Sequence, residues 1–159
     1  MIDIRHRITG ELLLRVESPS LEDAALQNVD LDQADLRHAN LRRAQLNGAS
    51  MVGARLSGAC LAYADLWGAD LRGAVVVEAD LRGADLRGAN LERANLGNAF
   101  LLGANLQGAR YDRATCWPRD VNPEERGAVP PPRTSEVVPS TPLEGRGDEP
   151  GPAEALPSS

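Results

Sequence analysis

The chain has 159 residues, a formal charge of −6 and only 3% aromatic residues. That length suits one domain plus an extension, and so few aromatics demand a core of small aliphatic groups. No run of 18 apolar residues occurs, and the opening MIDIRHRITG has no apolar centre; neither a membrane-spanning helix nor a secretory leader is expected, and a cytoplasmic protein is. All 17 basic residues are Arg. Cys60 and Cys116 are too few for a disulfide framework and, with His6 and His38, lack metal-ligand spacing, so neither metal nor cofactor is expected.

Residues 1–23 read as a cap. Ile2, Ile4 and Ile8 alternate with polar residues, as do Leu12, Leu14 and Val16 beyond Thr9-Gly10, which predicts a β-hairpin. In SPSLEDAALQN, Ser20 is a candidate N-cap for a short helix. Leu21 and Leu26 also fit the repeat that follows.

From residue 24 to 115 the sequence has a period of five. Taking Leu26 as a centre, every fifth residue to Tyr111 is another, giving 18 centres of which 15 are Leu; Met51, Val76 and Tyr111 are the others. Ala stands two places before 17 of them, Val29 being the exception. Such self-similarity decides the architecture. On an α-helix five residues advance about 500°, which winds the leucines round every side. On a flat strand an odd period throws alternate leucines to opposite faces. A bend in each pentapeptide solves both problems. In L-R-G-A the Gly is third, where a type II turn needs φ > 0. Bends of about a right angle close one coil in four pentapeptides, with Leu and Ala inward and stacked coils pairing their backbones about 4.8 Å apart.

The pattern A-[DN]-L-x-G, as in ADLRG, ANLQG and ADLWG, strongly resembles the pentapeptide-repeat family. The resemblance implies an all-β fold, a right-handed quadrilateral β-helix, and the repeat's length gives it about four and a half coils.

Residues 116–128, CWPRDVNPEERGA, leave the pattern and read as a second cap, with Trp117 and Val121 over the last coil. Asn122, Pro123, Glu124, Glu125 and Gly127 supply N-cap, first position, acidic first turn and stop for one helical turn. The segment resembles the Trp-Pro closing segments of some family members. Residues 129–159 hold 8 of the 11 prolines and read as a disordered tail.

Residues twenty apart share a side of the square, so the outward positions can be mapped. Some family members, the quinolone-resistance proteins, resemble duplex DNA in surface charge and bind DNA gyrase. That role requires acidic charge spaced along the rod. Here the four sides sum to zero, and −4 of the −6 falls from Cys116 onward. Local acidic pairs such as Asp65 with Asp85 are what favours that role. Nucleic-acid binding fares no better, since the basic strip of Arg42, Arg43 and Arg82 has no Lys and little aromatic interleaving. Catalytic residues are not expected: His38 has no neighbouring nucleophile, and a filled bore leaves no pocket.

The outward apolar residues stand apart from this polar pattern. Val75 and Val77 flank Val76 on the third side, Phe100 and Leu102 flank Leu101 on the fourth, and Tyr63 and Trp67 lie nearby. These six form a candidate contact patch. The sequence thus points to a rigid scaffold, monomeric or weakly dimeric, for an unidentified protein partner, with DNA gyrase as the alternative. Cys60 is placed outward, and Cys116, in phase as a centre, is expected inside as a small buried hydrophobe.

Overall fold

The computed structural model describes residues 1–132. Each pentapeptide is one side of a square coil, and its corner is a β-turn. The carbonyl of the central residue accepts from the amide three residues on, as Leu66 O does from Ala69 N at 3.0 Å and Leu86 O from Ala89 N at 3.1 Å. The third residue of the turn has positive φ, +65° at Gly68 and +66° at Gly88, which is type II geometry. Nine of these corners carry a residue other than Gly, among them Tyr63 (φ 60°) and Glu78 (φ 59°). Each costs about 1–2 kcal/mol against a right-handed backbone, so the turns are imposed by the stack around them.

Four corners bring the chain back over itself one layer on. Asp30 pairs with Ser50, Ser50 with Asp70, Asp70 with Asn90 and Asn90 with Arg110, all in parallel. Three backbone bonds tie each side to its neighbours: Asp85 N donates to Ala64 O at 2.9 Å, while Leu66 N donates to Asp85 O at 2.8 Å and Gly68 N to Arg87 O at 2.9 Å. The ladder turns the central residue and the preceding Ala into the bore. Leu46, Leu66, Leu86 and Leu106 are wholly buried, and so are Ala44, Ala69, Ala89 and Ala109. Each such Leu contributes about 1.5–3 kcal/mol by leaving water.

Both ends of the ladder are covered. Strand β1 (Ile2–Arg5) pairs antiparallel with β2 (Leu12–Val16). Beyond β1 the chain lies along the third side of the first coil, with Arg7 N donating to Gln33 O at 2.7 Å and Asp35 N to Arg5 O at 2.9 Å. Ile4, 2% exposed, plugs the bore there. The helix expected from Ser20 is absent. Ser20 Oγ accepts from Glu22 N at 3.0 Å, a bond that caps nothing, and Leu21 is already a buried centre whose carbonyl closes a corner with Ala24 N. Leu21 in phase outweighs the capping signal, and the first coil begins there.

At the far end the period slips by one residue. Asn95 pairs with Cys116 instead of residue 115, so Thr115 takes the slot of the inward Ala and Trp117 that of the centre. Thr115 is 9% exposed and donates from Oγ1 to Leu91 O at 2.8 Å. Cys116 is therefore exposed, which corrects its expected burial: the extra residue in YDRATCW moves it onto the outward ladder position. Trp117 packs edge-on to Tyr111, ring centroids 5.5 Å apart. A single 3-10 turn, Glu124–Arg126, follows. Its N-cap is Pro123, one residue later than expected, and Gly127 closes it at φ 86°. Val129, placed with the tail on sequence, instead ladders onto Arg110, its amide donating to Ala109 O at 2.7 Å. The rest of the expected disordered tail lies, from residue 133, outside the described residues. Among the described residues no helix is long and apolar enough to cross a membrane.

Two substitutions separate packing from corner geometry. Leu66→Ala should cost about 2–5 kcal/mol. Gly73→Ala, at φ 65° with open space around the added methyl, should cost only the left-handed penalty of about 1–2 kcal/mol. Urea unfolding followed by circular dichroism measures both, and equal losses would contradict this division.

Candidate protein-contact surface

The Leu101 carbonyl ends the fourth side, and the C-terminal cap folds against it. Arg126 Nη1 donates to that carbonyl at 2.6 Å. This contact brings Arg119, Asp120 and Val121 beside Phe100 and Leu102, around a depression of about 500 Å³ that Pro118 and Arg82 also line. A second depression, of about 560 Å³, is lined by Arg42, Tyr63, Arg82 and Leu102. Arg82 and Leu102 belong to both, so the two form one groove running along the fourth side from the middle coils to the cap.

The apolar lining of the groove is open to solvent: Tyr63 is 59%, Phe100 58% and Leu102 76% exposed. Tyr63 sits at a left-handed corner and its ring lies over Gly83 in the next coil. A Cβ on Gly83 would fall 2.5 Å from the ring carbons Cδ1 and Cε1, so glycine there makes the berth. Arg42 covers the ring, its Cζ 5.3 Å from the centroid, an attraction worth about 0.5–1 kcal/mol at an exposed site.

The structure divides the six patch residues. Tyr63, Phe100 and Leu102 share the groove. Trp67 is exposed but lines neither depression, its amide turned to Asp65 Oδ1 at 3.1 Å. Val75 and Val77 are half-buried on the third side and stand outside the groove. Cys60 is half-buried and Cys116 exposed, and both are free thiols. Sequence reasoning missed Arg119 and Arg126, because nothing in the five-residue phase says where a cap beyond the slip will fold. Among the described residues no cluster of His, Cys, Asp and Glu could hold a metal ion.

A family model for pentapeptide repeats, in 8 copies, matches residues 20–58, 49–88 and 84–110. The chain belongs to the pentapeptide-repeat family. Rfr23, a pentapeptide repeat protein of the cyanobacterium Cyanothece 51142, is 37% identical over 57% of this chain and superposes with a TM-score of 0.56. The match spans 61% of that protein's length. The pentapeptide repeat protein alr5209 of Nostoc PCC 7120 is 36% identical over 66% of this chain and 83% of its own, with a TM-score of 0.43. QnrB1, a plasmid-mediated fluoroquinolone resistance protein, is 19% identical over 67% of this chain and 77% of its own, with a TM-score of 0.37. No curated protein matches.

The pentapeptide frame also fixes the surface electrostatics. Where Asp precedes a centre and Arg follows it, the two lie side by side on one flat edge. Asp80 accepts from the Arg82 amide at 3.1 Å and from its guanidinium Nε and Nη2 at 2.8 and 2.6 Å. Asp35 with Arg37, Asp70 with Arg72 and Asp85 with Arg87 repeat the arrangement. The Arg side-chain bond holds Asp35, Asp80 and Asp85 below the usual carboxylate range. At Asp70 burial pushes upward, and the bonds from Arg72 outweigh it. In the hairpin, hydrogen bonding to Arg15 takes Asp3 down to about 2.

A depressed folded-state pKa contributes stability above the unfolded value, near 3.8, and loses it as pH falls through the folded one. The thermal midpoint should therefore stay level from neutral pH to about 5 and drop between about 4 and 2. Asp80→Asn should be less stable than the parent at pH 7, by under about 1 kcal/mol for so solvated a pair, and should nearly match it at pH 2. Melting curves across that range provide the check.

Proposed function

We propose that this chain is a rigid, non-catalytic scaffold for protein–protein contact, right-handed in its coil as the family resemblance implies, working in the cytoplasm as a monomer or weak homodimer. The observation that carries this reading is the groove on the fourth side. Three large apolar side chains stand open there, in a surface whose outward positions are otherwise mostly polar or small. Solvent-facing groups of that size in a concave strip favour an occupant that removes them from water. The bore supports a scaffold over an enzyme, being filled by Leu and Ala with no room for a substrate.

Mimicry of duplex DNA is disfavoured by the Asp–Arg pairing. An imitation phosphate must show an uncompensated charge, whereas Asp35, Asp70, Asp80 and Asp85 each have a guanidinium within 2.7 Å. In a supercoiling assay with purified DNA gyrase the protein should neither inhibit the enzyme nor protect it from a quinolone.

The contact reading is tested by Phe100→Arg with Leu102→Arg. Both residues are exposed, so the rod should keep its circular dichroism and melting temperature while losing any captured partner and any self-association. Pull-down and sedimentation profiles identical to those of the parent would reject the groove as the site.

A further inference from the structure

Resting on that contact reading, we propose that the groove receives an acidic segment of a partner protein that also carries a large apolar side chain. The argument is one of charge complementarity within a protein whose own formal charge is −6. Four arginines line the groove, Arg42, Arg82, Arg119 and Arg126, against one lining carboxylate, Asp120. Their engagements differ. Arg82 is held by Asp80 at 2.6 Å, and Arg42 only loosely by Glu22 at 3.8 Å. Arg126 spends one donor on the Leu101 carbonyl and makes no ion pair among the described residues. Arg119 makes no ion pair with any described residue and is exposed.

The groove therefore pairs uncompensated guanidinium groups with open apolar surface. Guanidinium donors suit a carboxylate, which they grip in two-point fashion. Phe100 and Leu102, between Arg82 and the cap, supply the apolar seat. A nucleic acid would also seek the arginines, but it needs an aromatic face for its bases. Stacking along a strand takes several such faces, and the groove has one open, Phe100, since Tyr63 has Arg42 over its ring and Gly83 beneath it. A basic partner would be repelled by the same strip.

The test uses the full chain and three short fluorescent peptides, alternating Glu with Leu, Lys with Leu, and Glu with Ser, read by anisotropy at low and physiological salt. The Glu–Leu peptide should bind at least about tenfold more tightly than either other, and more weakly as salt rises. Arg119→Glu with Arg42→Gln, and separately Phe100→Ser with Leu102→Ser, should each weaken it by about tenfold, with circular dichroism confirming that both variants are folded. Equal binding of all three peptides, or no change in either variant, would overturn the proposal. Residues 133–159 carry five acidic residues and two Arg, and a competing occupant is this chain's own acidic segment. If the Glu–Leu peptide binds only after Glu136, Glu144, Asp148, Glu149 and Glu154 are changed to amides, the groove belongs to that segment and an external partner is rejected. A chain that loses a captured partner through Phe100→Arg with Leu102→Arg, yet ignores every peptide, leaves the contact reading standing and defeats this one.

Discussion

The hydrogen bond that the centre's carbonyl accepts from the amide three residues on closes nearly all of the described corners, and it requires the residue just before that amide to be left-handed. Where Gly fills that place the turn costs little; where Tyr63, Glu78 or Arg93 fills it the backbone is held against its preference. What holds it is the layer above and below. Each side hydrogen-bonds to the next coil through residues twenty apart, and the ladder aligns only if every corner turns the same way. Local geometry and long-range stacking thus depend on each other, and neither would persist in an isolated pentapeptide.

The same corner explains which features could be read in the sequence. A period of five admits one arrangement in which Leu and Ala both face inward, so the bore, the four sides and the outward positions all follow from Leu26 and its successors. The features that escaped lie where the period ends or is shared with another signal. Ser20 looks like a helix cap, yet Leu21 two coils below Leu61 had already joined the stack. Cys116 counts as a centre until one added residue, in the stretch from Asp112 to Thr115, shifts the frame beneath it. Arg119 and Arg126 reach Phe100 and Leu102 through a cap whose path no repeat dictates. Val75 and Val77 were grouped with that pair by their apolar character, but they are half-buried on a different side.

Charge on this rod has to be judged at short range. The residue before a centre and the residue after it stand together on a flat edge, so Asp and Arg there cancel within one pentapeptide. A net charge summed over the chain or over a whole side conceals this cancellation. On the fourth side the cancellation stops at Arg119 and Arg126, which the cap supplies and which make no ion pair among the described residues. The cap therefore does two things at once: it covers the end of the ladder and completes a surface that the repeat alone would leave nearly neutral.

The one-residue slip before Cys116 also sets how the molecule can change length. Upstream of it, a block of twenty residues is a whole storey, and copying one out or pasting one in keeps every leucine pointing inward. Downstream, the same edit would place its leucines in water and its polar residues in the bore. Lengthening the tower is therefore open to simple duplication at any floor but the roof, and the roof, with its arginines, would ride up unchanged over whichever storey came to lie beneath it.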